Sequence, residues 1–270
     1  MDLKPTGDLH ELFRRLVDIE SVSMHEAPIA DAVEETLAPH RHLEVTRLGN
    51  SVVARTHLGR SERVVIAGHL DTVPVVENLP SYIEQRSDGD YLVGRGTCDM
   101  KGGIAVALAL AVGLENPVRD LTWAFYEGEG LTFREGLNAT MLDAGVAGNV
   151  IPPTATIQIN YRFAPDKTTE QARQYMEDLF HEWPMNVLDL SAPARPGLDR
   201  PLAKSFVAAV GGEPGPKYGW TDVARFGQLG IPAVNFGPGN ALCAHQVDEC
   251  CRLGSLDECY RALHTWLASR

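Results

Sequence analysis

Apolar residues recur at helical spacing near the start of the chain. Leu9, Leu12, Phe13, Leu16 and Val17 form one stripe, and Ile29, Val33 and Leu37 form a second. This period predicts two amphipathic helices, each with one face laid on a sheet. The pattern then changes. Val64-Val65-Ile66-Ala67 is a short unbroken apolar run leading into Gly68-His69-Leu70-Asp71-Thr72-Val73-Pro74. That is the pattern of a strand covered on both faces, whose carboxyl end opens into a loop. Met100 to Leu114 is apolar almost all round and predicts a buried helix, and Leu121 to Tyr126 predicts another strand. The order helix, strand, helix, strand favours an α/β sandwich with parallel strands, in which ligands bind beyond the carboxyl ends of strands.

Further along, Asn138 to Met141 and Ala155 to Phe163 predict strands around the turn-rich stretch Gly145 to Pro153. In the second of these, Ile157, Ile159, Tyr161 and Phe163 alternate with polar residues, so this apolar set is expected to cover the next helix. That helix, Thr168 to Phe180, carries Thr168 and Gln171 at capping-box spacing. A helix near Leu202 to Val210, a strand Ala233 to Phe236, and a last helix capped by Ser255 with Glu258 complete the chain.

Composition narrows the class. In 270 residues, 44% are apolar and 22% charged, the balance of an ordinary globular chain, and no stretch approaches a membrane span. Lys and Arg number 24 against 36 Asp and Glu, a net charge of -12 that argues against nucleic acid as a partner. No basic segment followed by an apolar run opens the sequence, so a cytoplasmic location is expected. Five cysteines, Cys98, Cys243, Cys250, Cys251 and Cys259, lack paired spacing and fit reduced thiols.

Candidate chemistry gathers where strands end. His69 and Asp71 stand two apart, so strand alternation points both side chains the same way, a spacing suited to a metal ligand and the carboxylate that orients it. Gly94-Arg95-Gly96-Thr97-Cys98-Asp99-Met100-Lys101-Gly102-Gly103 sets a carboxylate in a glycine-dense loop before a buried helix, where Asp99 fits a helix N-cap as well as a site. Trp123 to Tyr126 ends on Glu127-Gly128-Glu129-Gly130, and Phe236-Gly237-Pro238-Gly239 precedes Ala244-His245-Gln246-Val247-Asp248-Glu249. Imidazole and carboxylate at successive strand ends form a donor set suited to zinc. No dinucleotide fingerprint, phosphate loop, nucleophile elbow or H-E-x-x-H helix competes.

These segments together resemble the signatures of the co-catalytic zinc aminoacylase and carboxypeptidase family. Tyr161-Arg162-Phe163-Ala164-Pro165-Asp166, Gly219-Trp220-Thr221-Asp222-Val223-Ala224-Arg225-Phe226 and Asn235 to Gly239 extend the likeness over nearly the whole chain. They favour the branch that hydrolyses N-succinyl-LL-2,6-diaminopimelate over related N-acyl amino acid deacylases and peptidases. The resemblance implies a zinc-hydrolase sandwich with a mixed central sheet flanked by helices, formed by residues 1–130 and 186–270. Residues 131–185 would be a shortened α+β lid and dimerisation segment. It implies two zincs, with His69 on one, His245 on the other and Asp99 bridging. Asp71 would orient His69, and Glu129 would act as general base. Arg162, Arg225 and Asn149 would hold a small anionic N-acyl amino acid, for which guanidinium groups are well suited.

One departure stands out. Gly130 takes the place of a second glutamate that in the family binds zinc, and the sequence passes at once to a segment lying well downstream in the family. The junction between Glu129 and Gly130 therefore resembles an internal deletion that removes a second carboxylate ligand and a lid histidine. Fewer or weaker zincs and impaired turnover are expected, with an inactive remnant as the alternative. The sheet edge left by the lost strands predicts self-association or a homodimer.

Overall fold

A computed structural model describes residues 3, 7–127, 136–145, 151, 154–163, 167–191, 197–215, 221 and 223–268. In chain order the elements are α1 (Leu9–Asp18), α2 (Ala27–Leu37), β1 (Glu44–Leu48), β2 (Ser51–Arg55), β3 (Arg63–His69), β4 (Tyr82–Arg86), β5 (Gly89–Val93), α3 (Gly102–Gly113) and β6 (Asp120–Tyr126). Then follow β7 (Gly136–Ala144), β8 (Ala155–Arg162), α4 (Thr169–Leu179), α5 (Pro201–Val210), α6 (Val223–Gln228), β9 (Cys250–Arg252) and α7 (Leu253–Ala268). The chain divides into two compact units, one of residues 1–129, 205–212 and 236–270, the other of residues 130–204 and 213–235.

The first unit is α/β. Its four-stranded sheet runs β1-β2-β6-β3, with β3 parallel to β6 and the other pairs antiparallel. β4, β5 and β9 form a second antiparallel sheet. The apolar sequence of α3 follows from its place: it packs on α1, α2 and α7 and also on β3 and β6, so no face meets water. Leu12, Phe13 and Leu16 of α1, Ile104 and Leu108 of α3, and Trp123 and Phe125 of β6 form this core, each at most 1% exposed. Lys101 is buried beside them because its ammonium donates to the carbonyls of Ile19 (2.6 Å) and Val17 (3.3 Å), which α1 leaves open at its carboxyl end.

Several expectations need correction. The helix expected from Met100 starts at Gly102; Asp99 and Met100 have non-helical backbone angles. The loop packs so closely on the helix start that a β-carbon on Gly102 would lie 2.9 Å from the Thr97 carbonyl oxygen. Ala233 to Phe236 is not a strand, and no described residue pairs with it. Its apolar run resembles a strand, but a strand exists only with a neighbour to complete its hydrogen bonds. Ser255 does not cap the last helix. β9 runs directly into α7 at Leu253, so the Ser255 hydroxyl lies inside the first turn and donates to the Arg252 carbonyl (2.7 Å). The hairpins β1–β2 and β4–β5 leave no clear pattern in the sequence, because outward residues such as Leu48, Tyr82 and Ile83 blur the alternation.

In the second unit β7 and β8 form an antiparallel hairpin with an irregularity between Ala139 and Met141. α4 has its capping box: the Gln171 N–H donates to Thr168 Oγ1 (3.2 Å), and the Thr168 N–H donates to Gln171 Oε1 (2.8 Å). Tyr161 of β8 meets Tyr175 of α4 with ring centres 5.1 Å apart, while Ile157 on the same set stays 55% exposed. Among the described residues, no helix is long and apolar enough to cross a membrane.

Candidate metal centre

The carboxyl ends of β3 and β6 lie side by side, His69 opposite Tyr126 in register. Beyond them the chain stays extended: the Leu70 N–H donates to the Tyr126 carbonyl (2.8 Å), and Thr72 pairs with Val22. This keeps Asp71 on the face of His69, as strand alternation requires. His69 is 5% and Asp71 7% exposed. His69 Nδ1 lies 3.1 Å from Asp71 Oδ1 and 3.1 Å from the Asp71 carbonyl oxygen. The Ser23 hydroxyl donates to Asp71 Oδ2 and holds that carboxylate in turn.

Asp99 comes to the same place from the glycine loop, in which Gly96 adopts φ +81° and a β-carbon would meet Thr72 Cγ2 at 2.7 Å. His245 comes from the loop after Phe236. Gly239 there runs so tightly past Cys98 that an added β-carbon would lie 3.1 Å from Cys98 Cβ. His245 itself has φ +67°, a left-handed conformation that costs a non-glycine residue about 1–3 kcal/mol. The two oxygens of Asp99 divide between the histidines. His69 Nε2 lies 3.1 Å from Oδ1, and His245 Nε2 lies 3.2 Å from Oδ2.

The hydrogen-bond inventory of His69 tests what this arrangement fits. Among the described residues Nδ1 faces oxygens of Asp71, which accept from a protonated Nδ1 and leave the Nε2 lone pair turned toward Asp99 Oδ1. A cation between Nε2 and the carboxylate suits this pairing of lone pairs. Two donors about 2.0–2.2 Å from one tetrahedral ion stand roughly 3.3–3.6 Å apart, a few tenths of an ångström beyond the separations seen. The donor set thus fits two cations sharing one carboxylate. Among the described residues each position nonetheless has one imidazole and one carboxylate oxygen, and no three such groups converge on a single point.

The neighbouring groups have other roles. Glu127 turns away, its Oε2 accepting the Asn50 N–H (3.0 Å) of the β1–β2 turn. Burial, with Glu249 and Asp99 alongside, pushes the Cys98 thiol well above its ordinary pKa. Arg225 lies exposed on α6 in the second unit. Glu129 and Asn149 lie outside the described residues, as does the side chain of Arg162, whose backbone ends β8. The sequence pattern passed over Arg95 and Glu249, a buried pair at 3.0 Å behind Asp99. Neither carries a signal of its own, since Asp99 and Lys101 stand in the same loop as Arg95 and Asp248 stands beside Glu249.

Comparison with known proteins adds three findings. A model of the peptidase family M20/M25/M40 matches residues 65–269. A DapE protein of Mycobacterium tuberculosis is 38% identical over 357 aligned positions covering 99% of both chains. The succinyl-diaminopimelate desuccinylase of Corynebacterium glutamicum is 32% identical over 374, also covering 99% of both. Because the chain has 270 residues, at least 87 of the 357 positions shared with the first relative have no residue opposite them, so this shortening is internal. Among solved structures, a metallo-carboxypeptidase of Sulfolobus solfataricus has the same fold at a TM-score of 0.73, with 12% identity, covering 97% of this chain and 99% of that one.

Proposed function

The chain belongs to peptidase family M20/M25/M40, and from that premise we propose that it hydrolyses N-succinyl-LL-2,6-diaminopimelate to succinate and LL-2,6-diaminopimelate. The observation that carries the chemistry is the Asp99 carboxylate set between two imidazole nitrogens at 3.1 and 3.2 Å. The substrate comes from two relatives that match the chain from end to end, which also favours a hydrolase over an inactive remnant.

In this reading His69 and Asp99 hold one divalent cation and His245 and Asp99 a second, with zinc as the metal these donors suit. Such ions, when bound, lower the pKa of water and polarise an acyl carbonyl. Asp71 keeps the Nδ1 proton of His69 in place and so presents Nε2 as the ligand. Glu129 accepts the proton of the attacking water and returns it to the amine nitrogen as the amide C–N bond breaks. Arg162, Arg225 and Asn149 bind the carboxylates of the substrate, which an acidic protein must otherwise repel. Residues 1–130 and 186–270 form the catalytic domain, and residues 131–185 serve as lid and self-association segment. Exposed Met141, Leu142 and Trp183 support that last assignment.

Two donors per ion among the described residues, where a catalytic zinc has three, imply loose binding and turnover below the usual range of about 1–10³ per second. The test is succinate release from N-succinyl-LL-2,6-diaminopimelate, with N-acetylornithine in parallel and with added Zn²⁺ or Co²⁺. Cation-dependent release from the succinyl substrate is expected. Cleavage of N-acetylornithine alone, or no cleavage under any condition, overturns the reading.

A further inference from the structure

Arg95 and Glu249 are 2% and 1% exposed, and Arg95 Nη1 donates to Glu249 Oε2 across 3.0 Å. The pair touches the loops that follow Asp71, carry Asp99 and carry His245, with bonds to their backbone groups. Glu249 Oε1 accepts the backbone N–H groups of Cys98 (3.2 Å) and Asp99 (3.3 Å), and the Glu249 carbonyl accepts the Gly94 N–H (2.9 Å). Arg95 Nη1 also donates to the Gln246 carbonyl (3.1 Å), one residue past His245, and Nε donates to the Pro74 carbonyl (3.1 Å) in the loop that follows Asp71. Asn78 completes the ring: its carbonyl accepts the Arg95 N–H (3.2 Å), and its side-chain amide donates to the Val247 carbonyl (3.3 Å).

We propose that Arg95 and Glu249 are positioning residues that set the separation of Asp99 from His245, and with it the affinity of these two side chains for a divalent cation. The inference rests on the metal-centre reading given above. A buried ion pair is a poor device for stability alone, because desolvation offsets its attraction and an apolar pair would hold the loops as firmly. What the pair supplies is direction. The planar guanidinium has fixed donor angles, and a carboxylate with both oxygens engaged cannot rotate. Groups that orient metal ligands from behind are commonly worth about 10–100-fold in metal affinity.

The experiment titrates the full chain with Co²⁺, following both affinity and the visible absorption of the bound ion, and records the thermal midpoint of the metal-free protein. Glu249→Gln leaves one side-chain oxygen to serve either Arg95 or the two amides. A double variant, Arg95→Met with Glu249→Leu, restores an uncharged interior but no directed bonds. Asp120→Asn is the stability reference, since it disturbs a buried carboxylate remote from the donor atoms. Both clamp variants are expected to bind Co²⁺ about 10–100-fold more weakly with an altered spectrum, while the reference loses midpoint and keeps affinity. If the double variant does not fold, Glu249→Gln decides alone. Clamp variants with wild-type affinity and spectrum overturn the inference, as does an Asp120→Asn protein whose affinity falls in step with its midpoint. If the unmodified chain binds no Co²⁺, the metal-centre reading falls, and the inference with it.

Discussion

Carboxylates at the two ends of β6 are used in opposite ways. At the amino end Asp120, 4% exposed, accepts from the Leu58 N–H (2.7 Å), the Arg60 N–H (2.9 Å) and the Thr56 hydroxyl (2.9 Å). Every one of these partners is a donor. Near the carboxyl end Asp99 faces two imidazoles, one of them already held by a second carboxylate at its other nitrogen. The first arrangement gathers donors around one carboxylate, and the second sets a carboxylate between imidazoles, a donor set that suits a cation. The contrast shows that a buried carboxylate says little about function until its donors and acceptors are counted.

The largest effect should come from Asp99→Asn. The carboxamide cannot serve two cations, so kcat/KM should fall by on the order of 10³ or more, roughly 4 kcal/mol of transition-state stabilisation. Unfolding of the metal-free protein in urea should shift far less, by about 1–2 kcal/mol, the range of ordinary hydrogen bonds. A large loss of stability without loss of activity would invert the comparison.

At the other end, Asp120→Ala should cost about 3 kcal/mol in urea unfolding, because two backbone N–H groups lose a charged acceptor, and kcat/KM should stay within about twofold. The same carboxylate predicts an acid dependence. The Leu58 N–H, then Arg60 and Thr56, hold its pKa down at about 2, below the ordinary value of 3.8. Its contribution is therefore whole above about pH 4 and is lost as pH falls through about 2. Asp120→Asn should abolish that part of the acid transition.

Divalent cation should stabilise only the carboxyl end. At about 100 times its dissociation constant, Zn²⁺ should add roughly 2.7 kcal/mol to unfolding, and the gain should vanish in Asp99→Asn but survive in Asp120→Asn. The smallest of these effects is that of Asp71→Asn, which should weaken cation binding about 10–100-fold, or about 1.4–2.7 kcal/mol, by loosening the hold on His69. Equal cation affinity in Asp71→Asn and the parent chain would show that the Ser23 and Asp71 contacts serve only packing.

Much of the centre was legible before folding. His69 and Asp71 were readable because a strand repeats every two residues and the apolar run before them announced its end. Asp99 and His245 were readable because glycines cluster where a backbone must turn or approach closely. The misread elements have one cause. Ala233 to Phe236 resembles a strand and Ser255 resembles a cap, but each element depends on what lies beside it. The arginine and glutamate clamp was invisible for the same reason, since its members stand 154 positions apart and each alone resembles a surface charge.

The sequence by itself determined the periods of α1, α2, β3, α3 and β6, and so the layers of the first unit, because burial acts on neighbours two, three or four positions apart. The choice of which distant groups meet was left to packing. One carboxylate oxygen of Asp99 goes to each histidine, Glu127 is drawn off to the Asn50 turn, and Arg95 sits beneath Glu249. Those contacts depend on helices and strands that pack around Phe13, Ile104 and Trp123. The differences in separation that matter for holding a cation are a few tenths of an ångström, a tolerance that a close-packed interior can set and a linear pattern cannot.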